Sequence, residues 1–226
     1  MDRTAAEAKT EHIERMGLEL GELYNALWQE LAWVNMKWAE YIALFGTNES
    51  RIALMNQAAP RFFVMIGNSL WEDVLLHLSR LTDAPRTAGR DNLSVQRLRA
   101  IASPDGEAAH LAALIDVAVV AADFARDWRN RRLAHKDLHL ALGREVQPLA
   151  PGSRQAVKGA LRALANVLNA VSSVHLDSTT IFESDDASAA SLLYVLRDGL
   201  QYQAERLRRI KSGDARPQDS LKLDPL

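Results

Sequence analysis

Cysteine is missing from all 226 residues, and with it go disulfides, thiolate metal sites and cysteine nucleophiles. That usage fits a reducing compartment. An excess of basic charge is missing too: 27 Lys and Arg against 29 Asp and Glu leave a formal net charge of −2, with a pI of about 6.3. This excludes a broad surface that coats nucleic acid, so any contact with RNA has to come from a local basic patch. No apolar run reaches the roughly 20 residues that cross a bilayer. The most apolar, Leu111 to Ala125, is interrupted by Asp116 and Asp123 and reads as a buried core helix. The opening Met-Asp-Arg-Thr has no signal-peptide character, and the expected setting is cytoplasmic, away from membranes. The chain shows no glycine-rich phosphate loop, no serine in a recognisable nucleophile motif, no convincing strand and no internal repeat.

What is present is helix. Hydrophobic residues make up 48% of the chain, enough for a packed core in one sizeable domain. Ile13, Met16, Leu20, Leu23, Leu27, Leu31, Val34, Trp38 and Phe45 recur at helical spacing, which predicts one amphipathic helix from about residue 4 to 45. Gly46-Thr47-Asn48 ends it. A shorter helix follows from Glu49 until Pro60 interrupts the pattern, and Phe63, Ile66, Leu70, Val74 and Leu78 carry the next to about Leu81. Residues 82–93 are dense in turn formers and read as an exposed loop. Ser94 can cap a short helix to about Ala102, and Ser103-Pro104 is a strong start signal for a helix that runs through Leu111 and Ile115 to Trp128. After a break at Gly143 and Pro148–Gly152, Ser153 opens a helix with Val157, Leu161, Leu164, Leu168 and Val171 on one face. A polar loop over 173–187 precedes a last helix to about Ile210. The expected organisation is a single domain over 1–211 with a flexible tail over 212–226.

The segment Arg129-Asn130-Arg131-Arg132-Leu133-Ala134-His135-Lys136-Asp137 carries the chemistry. Arginine holds a permanent planar charge suited to phosphate, and histidine gains or loses a proton near neutral pH. On a straight α-helix, residues six apart point about 120° away from each other. Arg129 and His135 therefore converge only if the helix breaks between them, or if two copies meet across a two-fold axis. The plainer alternative is a solvated, positively charged helix end favoured by the macrodipole, with Asp127 and Arg131 as an i,i+4 ion pair.

Other groups rank lower. His135 and His139 have the spacing of a helical metal pair but lack an obvious third ligand. Asp116, Asp123 and Asp127 look like the polar edge of a helix pairing with Arg126 and Arg131. His12, His77, His110 and His175 are isolated. Arg86 and Arg90 read as solvated loop charges, and most of the five tryptophans as packing.

The order Arg-Asn, then apolar-Ala-His with an aspartate two residues on, resembles the Arg-x(4–6)-His signature of HEPN domains. The wider chain is similar to the U-type abortive-infection branch of that superfamily. The likeness is carried by Leu27-Trp28-Gln29-Glu30-Leu31, Trp38, Leu44-Phe45, Phe62-Phe63, Trp71-Glu72-Asp73-Val74-Leu75-Leu76, Ser79-Arg80-Leu81-Thr82-Asp83, Asn92-Leu93 and Trp128 to Asp137. These lie within roughly residues 20 to 140. The resemblance implies an all-α, HEPN-like antiparallel helical bundle with a long N-terminal helix and extra helices, one that commonly dimerises. Active members are metal-independent endoribonucleases used in antiphage defence and toxin–antitoxin systems. Arg129 and His135, with Asn130, map onto the catalytic positions, and Arg131, Arg132 and Lys136 are the expected phosphate contacts. No cofactor and no metal are implied. The expected partners are RNA, a second copy of the chain, and an antitoxin or another defence component. A non-catalytic HEPN module that binds RNA, a nucleotide or a partner protein is the competing reading.

Overall fold

Gly17 divides the expected N-terminal helix in two. Its φ of +81° ends α1 (Ala5–Met16), and α2 (Leu18–Phe45) begins at the next residue. The apolar stripe runs on through Met16 and Leu20, so periodicity gives no warning of the break; only a residue without a Cβ takes this conformation at no steric cost. The corner is tight. A Cβ on Gly21 would lie 2.6 Å from the His12 carbonyl oxygen, so α1 can lie against α2 only where the side chain is a hydrogen. His12 closes the contact from inside, with Nδ1 3.2 Å from Asn25 Oδ1 and its ring edge-on to Tyr24.

This computed structural model describes residues 4–46, 48–101, 107–133, 138–144, 147–183 and 188–220. After α2 come α3 (Glu49–Ala58), capped by Asn48, and α4 (Pro60–Leu81), which starts on its proline. Residues 82–93 are not wholly irregular: β1 (Arg86–Thr87) and β2 (Arg90–Asp91) pair antiparallel across Ala88 and Gly89. Both turn residues have positive φ (50° and 80°), the geometry of the tight hairpin turn that matches strand twist. Ser94 caps a 3₁₀ turn, Val95–Arg97, which leads into α5 (Leu98–Ile101). The Ser103-Pro104 start signal lies outside the described residues. α6 (Glu107–Ala121) and α7 (Asp123–Trp128) stand where one helix was expected, followed by a π turn over Arg129–Leu133 and by α8 (Leu138–Ala141). α9 (Arg154–His175) opens on its Ser153 cap, and α10 runs from Ser188 to Ser212. The fold class is all-α; the hairpin does not change it.

The chain forms two compact units, 1–38 with 69–185, and 39–68 with 186–226. The first is built on Leu27, Leu31, Val34, Val74, Leu78, Ile115, Ala118, Leu164 and Val167, all essentially buried. Within it α6 packs on α9, and the core both helices share includes the small side chains Ala118, Ala160 and Ala163. The second unit has its own smaller core of Ala43, Leu44, Met55, Phe63, Ala189 and Leu193. Here Glu40 caps α10 from outside that helix: its carboxylate accepts from the Ser188 amide (2.9 Å) and hydroxyl (2.6 Å) and from the Ala189 amide (2.7 Å). Burial raises the pKa of Glu40, but these three bonds outweigh it and the carboxyl lies below its ordinary value. Within the 212–226 segment, Pro217–Ser220 form a 3₁₀ turn. Buried Asp219 accepts from Arg209 at 2.9 and 2.6 Å, and this pairing drives its carboxyl far below the usual carboxylate range.

No single helix among the described residues is long and apolar enough to cross a membrane; 108–121 and 123–133 pass that test only when joined across a 46° bend. Leu111, Ile115, Ala118, Ala122 and Ala125 of this stretch are buried, as expected of a core helix.

Candidate functional site

The 46° bend lies at Ala122, whose backbone (φ −97°, ψ 1°) leaves helical geometry before Asp123 restarts the helix. One and a half turns later the spiral widens into the π turn Arg129–Leu133. Such turns are rare, and where they occur they are frequently at functional sites. The α-helix has thus ended at Trp128, so the 120° separation expected for a straight helix does not govern this segment. His135 and Lys136 lie outside the described residues; Arg129, Asn130, Arg131 and Arg132 lie within them.

Arg129 is three-quarters buried. Its Nη1 donates to Asp83 Oδ2 at 2.5 Å and its Nε to Asn130 Oδ1 at 3.1 Å. Asp83 follows α4, 46 residues earlier, and Arg126 addresses the same corner: its Nε is 3.8 Å from Asp83 Oδ1, while its Nη2 donates to the Thr82 carbonyl and hydroxyl at 3.1 Å each. Arg126 also pairs with Asp123. The corner is fixed from its other side by Ser94 Oγ, which donates to the Asp83 carbonyl at 2.5 Å, and by Gln96 Nε2, which donates to the Thr82 and Asp83 carbonyls at 2.9 and 3.1 Å. Asn92 ties the hairpin to the same chain by donating to Ala84 O and Thr87 Oγ1.

Arg131 faces the other way. It donates to Gln147 O (2.5 Å) and Pro148 O (3.2 Å) and sits 3.6 Å from Asp127, whose other oxygen accepts from the Ala150 amide. The i,i+4 pair expected from the plainer reading therefore exists, and it staples the 147–150 loop. Arg132 is half exposed, 3.9 Å from Glu72 and stacked 5.2 Å over the Trp128 ring. Trp128 donates to Ala150 O and stands edge-on to Trp71, which in turn meets Trp38. A Cβ on Gly152 would come within 3.1 Å of Trp71, so any larger residue there would press on the ring and make it give by a few tenths of an ångström. These tryptophans serve packing, as expected; Trp33 is the exception, half exposed under Lys37.

His77 is not isolated. Lys37 Nζ donates to Asp73 Oδ2 (2.5 Å) and to His77 Nε2 (2.9 Å). An ammonium has no acceptor, so Nε2 is the bare nitrogen and the ring proton sits on Nδ1, 2.9 Å from Glu30 though poorly aligned with it. Burial and the Lys37 charge hold the pKa of His77 below its ordinary value, against the pull of Asp73 and Glu30. Among the described residues, no group of three or more His, Asp or Glu side chains is arranged to hold a metal ion.

A family model, HEPN_AbiU2, described as AbiU2, matches residues 17–192. The chain belongs to the AbiU2 family of HEPN domains. No curated protein and no solved structure matches it. The AbiU2 match extends past the region of likeness in the sequence, through α9 and into α10, and it contains the bend, the π turn and the Thr82–Asp83 corner. Membership in this family suggests an abortive-infection effector.

Sequence reasoning missed Asp83. The stretch Ser79–Asp83 carries part of the family likeness, yet nothing in its local pattern indicates which cation it meets. An aspartate just past a helix end usually reads as a turn residue.

Proposed function

We propose that this AbiU2-family chain is a metal-independent endoribonuclease effector of bacterial antiphage defence or a toxin–antitoxin system, acting in the cytoplasm as a homodimer. The observation that supports the reading most directly is Arg129 itself. It stands on a π turn in a HEPN-family chain, held by Asp83 and Asn130, with Nη2 making no hydrogen bond among the described residues. In this reading His135 removes the proton of a ribose 2′-OH, which attacks the neighbouring phosphorus. Arg129 stabilises the negative charge that grows on the phosphoryl oxygens. The histidine of the second copy, or a water, protonates the departing 5′ oxygen. The P–O5′ bond breaks as the P–O2′ bond forms, leaving a 2′,3′-cyclic phosphate and a 5′-OH. DNA resists because it lacks the nucleophile. Arg132 and Lys136 hold flanking phosphates, and binding weakens steeply with salt. Arg131, engaged with the 147–148 carbonyls, adds to the positive field more than to direct contact.

Incubation of the purified chain with RNA in EDTA, followed by analysis of the fragment ends, tests the proposal. Wild type should give cyclic-phosphate and 5′-OH ends, and His135→Ala should lose at least about 100-fold in rate, the scale of a lost general base. Equal rates for the two proteins refute it. RNA or nucleotide binding without turnover would instead indicate a non-catalytic module.

A further inference from the structure

Two arginines three residues apart, Arg126 and Arg129, converge on one carboxylate, and they do so unequally. Arg129 is at 2.5 Å from Asp83; Arg126 is at 3.8 Å and directs its stronger contacts to Asp123 and to the oxygens of Thr82. The Asp83 carboxylate therefore serves Arg129 first. It stands on an anchored corner, because both carbonyls of Thr82–Asp83 are held by Gln96 and the second also by Ser94. With Nε directed to Asn130 and Nη1 to Asp83, the guanidinium plane is fixed before any ligand arrives, and Nη2 makes no hydrogen bond among the described residues.

We infer that Asp83 is the positioning residue of the candidate site: it grips the Arg129 guanidinium at Nη1 and thereby presents Nη2 to the scissile phosphate of an RNA strand. The inference rests on the ribonuclease reading above and adds a residue to it. A flexible arginine would have to be ordered during the reaction; one held by a carboxylate on a fixed corner is already in place when charge develops on phosphorus. The opposite role, a carboxylate that blocks the arginine until it is displaced, predicts the opposite kinetics.

Single-site cleavage of a labelled RNA in EDTA decides the matter, with kcat, KM and melting temperature measured for wild type, for Arg129→Ala, Arg129→Lys, Asp83→Asn and Asp83→Glu, and for Asp83→Asn combined with Arg129→Lys. Asp83→Asn keeps the shape and removes the charge. It should lower kcat by about 10- to 100-fold, the loss expected when a supporting contact to a reacting group is removed, with KM little changed. Asp83→Glu should recover most of that loss, and in an Arg129→Lys background Asp83→Asn should cost little more. If Asp83→Asn does not fold, the glutamate variant and the Lys background carry the test. An unchanged or increased kcat in Asp83→Asn overturns the inference, as does a loss that only follows the melting temperature or is simply additive with Arg129→Lys. A wild type that cleaves no RNA, or an Arg129→Ala protein that cleaves as well as wild type, refutes the ribonuclease reading itself, and the inference falls with it.

Discussion

Arg129 and Arg131 have the same chemistry and stand two residues apart on one π turn, yet the structure uses them differently. Arg129 is fixed by a carboxylate and an amide oxygen, with Nη2 unbonded among the described residues; Arg131 divides its guanidinium between two loop carbonyls and Asp127. Spacing along the chain marks both as cations in a candidate site and cannot separate them, because the partners that distinguish them, Asp83 for Arg129 and the 147–148 carbonyls for Arg131, lie 16 to 46 residues away. His77 shows the same limit. Its helix α4 supplies only Asp73, four residues earlier, and Glu30 and Lys37 complete the cluster when α2 packs against α4. Its depressed pKa has a measurable consequence. As pH falls through the unfolded value of 6.5, the unfolded chain binds a proton that folded His77 refuses, so stability is full above that pH and declines below it until the folded pKa is reached. Melting temperatures from pH 7.5 down to about 5.5 should therefore fall less steeply in His77→Gln than in wild type. Parallel slopes would show that His77 does not set this dependence.

At the scale of elements, helix existence was legible and helix interruption was not. Ser94 and Ser153 stand as caps where the sequence places them, Asn48, expected only to end α2, caps α3 as well, and Pro60 opens α4. The breaks at Gly17 and Ala122 are hidden because the apolar stripe continues across each, and alanine is the residue least expected to stop a helix. The hairpin at 86–91 is indistinguishable from loop in the sequence, since two residues per strand are too few to show alternation. The cap on α10 was also out of reach: Glu40 sits 148 residues before Ser188. Removing it tests whether a cap supplied from a distance matters as much as a local one. Glu40→Ala should cost about 1–2 kcal/mol, the upper range for a lost helix cap, read as a shift in urea midpoint, and Glu40→Gln should cost less because an acceptor remains. An unchanged midpoint in the alanine variant would mean that water replaces the carboxylate.

For the whole molecule, the two units each have their own apolar core, and α2 and α4 contribute residues to both. The candidate site lies in the first unit. If Arg129 and His135 act across a two-fold axis, as proposed, complementation should reveal it. Arg129→Ala and His135→Ala proteins, each inactive alone, should recover cleavage when mixed under conditions that exchange subunits, because a mixed pair contains one intact copy of each group. No recovery despite demonstrated exchange would confine the site to one chain.

Composition and periodicity were enough to establish an all-α chain without thiol chemistry, and the family likeness could be seen in short blocks of residues because those blocks are local. Local pattern records which face of a helix is apolar and where turns begin. The meeting of Asp83 with Arg129, the division of roles among neighbouring arginines, the neutral state of His77 and the capping of α10 by Glu40 were decided by tertiary structure alone. Each joins polar groups far apart in sequence, and a polar contact, unlike an apolar stripe, leaves no repeating trace in the chain that makes it.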